Sequence, residues 1–395
     1  MRKQFLIPLI ILIFLITGTV LVVTYARGYR LGFDGGKPEL SGTGLLVATS
    51  NPNGASVFIN GHLTTATDNT LNLSPGNYTV RITKEGYFPW EKQIKIQKEV
   101  VSKAEALLFP SNPKLEGITA SGVKNPKLDP SGSLIAYTIA SESARKNGVY
   151  ILDMSNRPIL TLQSSSTQIA DDTVDLFSQG LLLWSPDGQE LIATISAQLG
   201  SQTTYLLKTQ GFNQNPKDVT ATLLTVQASW EKDRLEKERA RKSSLKPELQ
   251  KLIVENFNIL AWSLDETKIL YEASQSAELP LIIKPPLIGT DSTLEDRSIK
   301  KDSVYVYDSK EDKNFKIKVG NSENLSWFPD SKHLVYVEDK KIGILEYDGT
   351  NRTTIYAGPF VDNYVFSWPN GSKLVVLTNL GNENIPPNLY TIGLK

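Results

Sequence analysis

The hydrophobic pattern along the chain changes character twice. From Phe5 to Val23, nineteen consecutive residues carry no charge, enough at 1.5 Å per residue to cross a hydrocarbon core of about 30 Å as a helix. Pro8 falls near its first turn, and Thr17, Gly18 and Thr19 are small polar interruptions that a helix satisfies internally. From Gly44 the apolar positions recur with period two in short runs bounded by Gly, Pro and Asn. Val57 and Ile59 alternate with Ser56, Phe58 and Asn60, and Tyr78, Val80 and Ile82 alternate with Thr79, Arg81 and Thr83 after a tight turn at Pro75-Gly76. With Gly44–Ser50, Lys92–Gln97 and Ala104–Phe109, these runs predict strands with one face in a core and the other in water, a small β-sandwich of about 65 residues.

The third regime, 112–395, holds an internal repeat. Five copies align: L-D-P-S-G-S-L-I-A-Y from Leu128, W-S-P-D-G-Q-E-L-I-A from Trp184, W-S-L-D-E-T-K-I-L-Y from Trp262, W-F-P-D-S-K-H-L-V-Y from Trp327 and the shorter W-P-N-G-S-K-L-V-V-L from Trp368. In each, an apolar strand ends at the first residue, the Pro/Asp/Asn/Ser/Gly cluster makes a type I-like turn, and a second strand follows. A third strand comes after every pair: Gly148–Asp153, Thr204–Leu207, Val304–Asp308, Ile342–Tyr347 and Asn388–Ile392. Repeated antiparallel sheets of this kind stack radially as blades. The fifth copy has three strands before Lys395, so its outer strand is expected from Leu115–Ala120, closing a five-bladed ring. A degenerate sixth blade inside 155–180 or 275–303 is the alternative. Irregular spacing of the copies calls for insertions. The longest, Val226–Asn256, reads helical from the i,i+4 pairs Lys232–Glu236, Asp233–Lys237, Arg234–Glu238 and Glu238–Lys242, with a break after Ser243-Ser244 near Pro247.

Composition changes the picture mainly by exclusion. Zero cysteines remove disulfides, thiolate metal sites and cysteine nucleophiles. The 42 basic side chains balance 42 acidic ones, so no net basic face draws the chain to nucleic acid. Arg2 and Lys3 precede the apolar run, which by the positive-inside tendency puts 1–4 in the cytoplasm and residues 27 onward, beginning with a linker over 26–41, outside. A cleaved secretory signal ending near Thr24-Tyr25-Ala26 competes with a retained anchor over 5–25, but the run exceeds the usual signal core of about 7 to 15 residues.

Candidate chemistry is sparse. His62 lies in a predicted turn and His333 at a strand start, in separate domains, and both are expected at the surface. Trp184, Trp262, Trp327 and Trp368 would suit a stacking platform, but repetition at one structural position points to packing between blades. Asp187, Asp265 and Asp330 lack calcium-loop spacing and read as turn caps. Asp171, Asp172 and Asp175, like Asp308 and Asp312, are expected in solvated loops rather than holding a cation. No G-x-S-x-G elbow and no phosphate-binding glycine loop occurs. Two segments stand out by position. Tyr87-Phe88-Pro89-Trp90 gathers aromatics at a strand junction, with Phe88 and Trp90 as candidate binding residues if they are not core, and Glu278–Lys301 is long for a hairpin connection.

Two resemblances follow from these motifs. P-N-G-A-S-V-F-I-N-G over Pro52–Gly61, then L-x-P-G-x-Y-x-V-x-I-x-K-x-G-Y from Leu73 to Tyr87, resembles the PEGA domain, a small β-sandwich of microbial envelope proteins. This likeness spans 42–110, with Asn53 where the family's name has Glu. The W-S-P-D-G-x-x-L hairpins resemble the TolB-type β-propeller over 112–395. Together they imply an all-β, membrane-anchored bacterial protein whose bulk is extracytoplasmic and which docks an envelope protein without cofactor or catalysis. A cell-wall or surface-glycan anchor is the alternative, favoured by exposed aromatics on one propeller face. A carbohydrate-active enzyme comes third, and it would need paired carboxylates in a central pocket.

Overall fold

A computed structural model describes residues 2–26, 29–34, 37–155, 166–196, 200–320, 325–361 and 364–395. The apolar run forms helix α1 (Arg2–Ala26). Its window Pro8–Tyr25 is long and apolar enough to span a membrane and has none of its surface buried, properties that a signal sequence shares. Strands β1 (Tyr29–Asp34) and β2 (Lys37–Gly42) pair antiparallel after it. Two compact units are distinguished: Met1–Phe109 with Ile283–Glu295, and Pro110–Ile282 with Asp296–Lys395.

In the first unit, period-two alternation becomes a sandwich. Strands β3 (Gly44–Asn51), β4 (Ser56–Ile59), β5 (His62–Ala66), β6 (Asn69–Leu73), β7 (Gly76–Thr83), β8 (Trp90–Ile96) and β9 (Val101–Leu107) form two sheets, β6-β3-β9 and β5-β4-β7-β8. The inward set is the one the alternation selects: Leu46, Val57, Val80, Ile82, Ile94 and Ile96 are all buried in one core. β3 and β9 run parallel, Leu45 opposite Val101, a pairing that needs a long crossover and that alternation cannot reveal.

The second unit is five four-stranded antiparallel sheets among the described residues. Strand β10 (Leu115–Gly117) precedes the first sheet, β11 (Lys124–Leu128), β12 (Leu134–Ile139), β13 (Gly148–Asp153) and β14 (Ser166–Asp171). The second is β15 (Leu181–Trp184), β16 (Glu190–Ser196), β17 (Gln202–Lys208) and β18 (Lys217–Asp218). Helices α2 (Leu223–Ser243) and α3 (Pro247–Asn256) follow, then a sheet of β19 (Phe257–Trp262), β20 (Lys268–Ala273), β23 (Val304–Asp308) and β24 (Lys313–Ile317). The short pair β21 (Ala277–Glu278) and β22 (Ser298–Ile299) stands inside that third sheet's long connection. The fourth is β25 (Leu325–Trp327), β26 (His333–Glu338), β27 (Lys341–Glu346) and β28 (Thr353–Tyr356). In the fifth, β29 (Val365–Ser367), β30 (Lys373–Thr378) and β31 (Asn388–Gly393) are joined by β10, with Leu115 opposite Ile392. The outer strand thus comes from the Leu115–Ala120 segment, as the repeat count requires. Of the two candidate places for a sixth blade, 166–171 is the fourth strand of the first sheet and 277–299 supplies only the two-stranded pair, while 156–165 lie outside the described residues.

The helical insertion has its break where Ser243 ends α2 and Pro247 opens α3. α3 buries Leu249, Leu252 and Ile253 against Phe257, Ile269 and Tyr271. α2 buries nothing fully and is held by polar ties, Lys237 Nζ to the Pro186 carbonyl at 2.8 Å and Arg241 Nε to Glu266 at 2.7 Å. Of the expected pairs along it, Lys232–Glu236, Arg234–Glu238 and Glu238–Lys242 form, whereas Lys237 turns to Pro186 instead of Asp233.

Candidate functional site

The repeat's chemistry-bearing residues are occupied by the fold. Asp129 accepts from the backbone of Ser131, Ser133 and Leu134, and Asp187 from the Ser185 hydroxyl and the Gln189 amide. The Ser185 hydroxyl and the Gln189 N–H hold the Asp187 carboxyl below the usual carboxylate range. Asp265 receives Ser263 and Thr267, and although burial acts to raise its pKa, those bonds outweigh it and the net direction is down. The tryptophans join neighbouring sheets: Trp184 Nε1 donates to the Lys127 carbonyl at 3.0 Å and Trp327 Nε1 to the Ala261 carbonyl at 3.4 Å, each ring 8% exposed. Trp262 and Trp368 are half-buried.

Three groups expected in water are not there. His333 is 4% exposed, its Nδ1 2.6 Å from Asp330 Oδ2 and its ring edge-on to Phe328. Burial acts to raise the Asp330 carboxyl, but His333 and the amides of Lys332 and His333 win and hold it low. The pair ties a turn to its strand. Asp308 and Asp312 are also buried, Asp312 beside Ile282 and Arg297, which flank the β21–β22 pair. Lys268 faces Asp308 at 3.6 Å, while Asp312 accepts from the Tyr307 hydroxyl at 2.6 Å and the Ile282 amide at 2.7 Å. His62 is exposed, and Asp171 and Asp175 cap their own loop.

The aromatic cluster at the strand junction divides. Trp90 is 4% exposed in the sandwich core because it starts β8 on the inward register of Ile94 and Ile96, which corrects its standing as an exposed contact. Phe88 is half-buried, its amide bonded to the Phe109 carbonyl at 2.9 Å. The long connection is more informative. Its residues Ile283–Glu295 belong to the first unit, where Asp291 meets Lys92 at 2.9 Å with both side chains nearly enclosed, 8% and 11% exposed. Burial acts to raise the Asp291 carboxyl, but the Lys92 charge prevails and holds it down. Reading by domain missed this, although the signal exists: W-E-K-Q-I-K-I puts Lys92 on the inward register, where a charge needs a partner.

In the second unit a shallow cleft of about 560 Å³ opens beside the β26–β27 turn. Pro359, Phe360, Val361 and Pro387 wall it, and Lys340 and Lys341 stand on its rim. Asp339 and Lys340 both take positive φ, the hairpin geometry usually marked by Asn-Gly, so its sequence signal is weak. Among the described residues no group of three or more His, Asp or Glu is arranged to hold a metal ion.

Comparison with known proteins supports the sandwich. The PEGA domain matches residues 43–112. No curated protein sequence matches the chain. Among solved structures, a protein described as a TolB of Agrobacterium tumefaciens is 14% identical at TM-score 0.22, covering 68% of this chain and 72% of its own. TolB of Acinetobacter baumannii is 14% identical at TM-score 0.23, with 87% of this chain and 64% of that one covered. The β-propeller domain of a trilobed protease from Pyrococcus furiosus, with an open velcro topology, is 12% identical at TM-score 0.24 over 92% and 96%. Scores this low leave the architecture to be read from the chain's own sheets.

Proposed function

We propose that the chain is a membrane-anchored, extracytoplasmic scaffold of the cell envelope that docks a protein partner and performs no reaction. The observation that carries this reading is α1, whose window Pro8–Tyr25 is apolar with none of it buried, followed after the β1–β2 pair by a PEGA-matched sandwich. In this reading residues 5–25 span the bilayer, Arg2 and Lys3 keep the tail in the cytoplasm, and the rest is presented outside. The five sheets form a closed five-bladed propeller, for which the Leu115–Ile392 pairing is the support. The cleft walled by Phe360 and Val361 receives the partner. Burial of Trp184 and Trp327 between sheets weighs against the glycan-binding alternative, which calls for exposed aromatics.

The test is fractionation and protease accessibility of the full chain in bacterial cells. Sedimentation with membranes, with 42–395 cleaved by protease added outside the cytoplasmic membrane, is expected. A soluble product shortened near residue 26 would overturn the anchor, and a chain shielded from external protease would overturn the orientation. Saturable, salt-resistant pelleting of 42–395 with protein-free cell wall would replace the protein-directed reading by the glycan one.

A further inference from the structure

The edge of the sandwich at β8 is already occupied, and the way it is occupied has the character of sequence recognition. β8 is the last strand of its sheet, so among the described residues no strand pairs with its outer edge. Residues Ile283–Glu295, nearly two hundred positions later, make contacts with its side chains and one of its amides. Ser292 Oγ accepts from the Lys95 amide at 3.0 Å. Asp291 Oδ2 meets the Lys92 ammonium at 2.9 Å, while its Oδ1 accepts the Thr293 amide at 2.9 Å and sets the turn. The Gly289 amide donates to Gln97 Oε1 at 3.2 Å. At Gly289, φ is +72°, and a Cβ there would come 2.8 Å from Val100 Cγ1, so only glycine fits.

Each of these contacts reads one position of Gly289-Thr290-Asp291-Ser292, and Thr290 is the one left free to vary. Leu287, Ile288 and Leu294 are 48%, 74% and 92% exposed, so the contacts around Asp291 are chiefly polar. They comprise an enclosed ion pair, two backbone amide donors and one steric requirement for glycine.

We propose that the β8 edge of the sandwich is a peptide-recognition surface for a bent Gly-x-Asp-Ser segment, which the chain fills in cis with its own residues 283–295. Lys92 selects the acid, the Lys95 amide reads the serine hydroxyl, Gln97 holds the glycine amide, and Val100 excludes any residue but glycine two positions before the acid. A partner presenting the same pattern on a bent segment competes for that surface. This inference stands independently of the anchor and of the propeller reading.

The experiment uses the full chain in detergent and a fluorescent peptide of residues 283–295. The wild type, with its surface filled, is expected to bind the peptide at least tenfold more weakly than Asp291→Ala, whose own segment is released. Binding to the variant should be lost when Lys92→Ala is added, and a peptide with valine in place of Gly289 should not bind. Hydrogen exchange at the Lys95 amide should rise in Asp291→Ala and fall again on adding peptide. If Asp291→Ala melts the sandwich, Gly289→Val releases the segment with both charges kept. No saturable binding to a folded variant would overturn the proposal. So would equal binding of a scrambled peptide, or unfolding of the sandwich in both variants, which would make the segment an integral part of the core.

Discussion

The indole nitrogen of Trp184 donates to the carbonyl of Lys127, 3.0 Å away, so the first strand of the second sheet is stapled to the first strand of the first. Trp184→Phe keeps most of the buried ring but leaves that carbonyl without its donor, a loss of about 1 kcal/mol. Trp184→Ala also empties the space between the sheets, for about 3–5 kcal/mol. Urea unfolding followed by circular dichroism should rank wild type above Phe above Ala. Equal midpoints for Phe and Ala would contradict a packing role for the ring.

Glu116 and Thr391 lie directly opposite each other where β10 completes the fifth sheet. The chain has no cysteine, so Glu116→Cys with Thr391→Cys can form only one disulfide, closing a loop of 275 residues. Mild oxidation should shift the protein on a non-reducing gel and raise stability by about 2–4 kcal/mol relative to the reduced form. Free thiols persisting under oxidant would mean that the two strands are not neighbours.

Asp330 carries a pH-dependent share of stability. Its folded carboxyl sits below its unfolded value of about 3.9, because the bonds to His333 and two amides outweigh burial. A lowered carboxylate contributes its full stabilisation above the unfolded value and loses it as pH falls through the folded one. Melting temperatures of the wild type should therefore drop on going below about pH 4, and Asp330→Asn, weaker at neutral pH, should drop less over the same range. Parallel curves would remove the pair from the account.

Burial pushes the Tyr137 phenol up to about 12 and raises Tyr271 and Tyr307 as well. Raised phenols keep their protons while the unfolded chain ionises near about 10, so their stabilisation is present below that value and is lost as pH rises above it. In a spectrophotometric titration these three should ionise only with unfolding, and Tyr137→Phe should remove one chromophore from that late step. Smooth titration of every tyrosine near its ordinary value would show these rings to be solvated.

What was legible in the sequence follows the range of the interactions that made it. Val57, Ile59, Val80 and Ile82 announce their face because a strand alternates with period two, and the Trp-x-Pro-Asp hairpins announce sheets because each turn is closed by its own aspartate. Ser243 and Pro247 mark the helix break for the same local reason. Several misread residues depend on distant partners. Asp308 and Asp312 look like surface residues until Lys268 and Ile282 are in place, and Trp90 looks like a contact until β8 is seen facing inward; His333 differs, since its partners Asp330 and Phe328 are local. Lys92 is the instructive case, since its wrong-facing register was visible while the identity of its partner was not.

That last pair sets a schedule for making the protein. Lys92 and Asp291 are 199 positions apart, which at a synthesis rate of about 5–20 residues per second is a wait of roughly 10–40 s. The sandwich emerges before the other unit but is finished late, because the segment that closes its edge is made only after two sheets and two helices of that unit. A ribosome that stops anywhere between Phe109 and Ile283 releases a sandwich with an unanswered lysine and an open strand. Such a product is marked for association or degradation by the absence of one short stretch of chain.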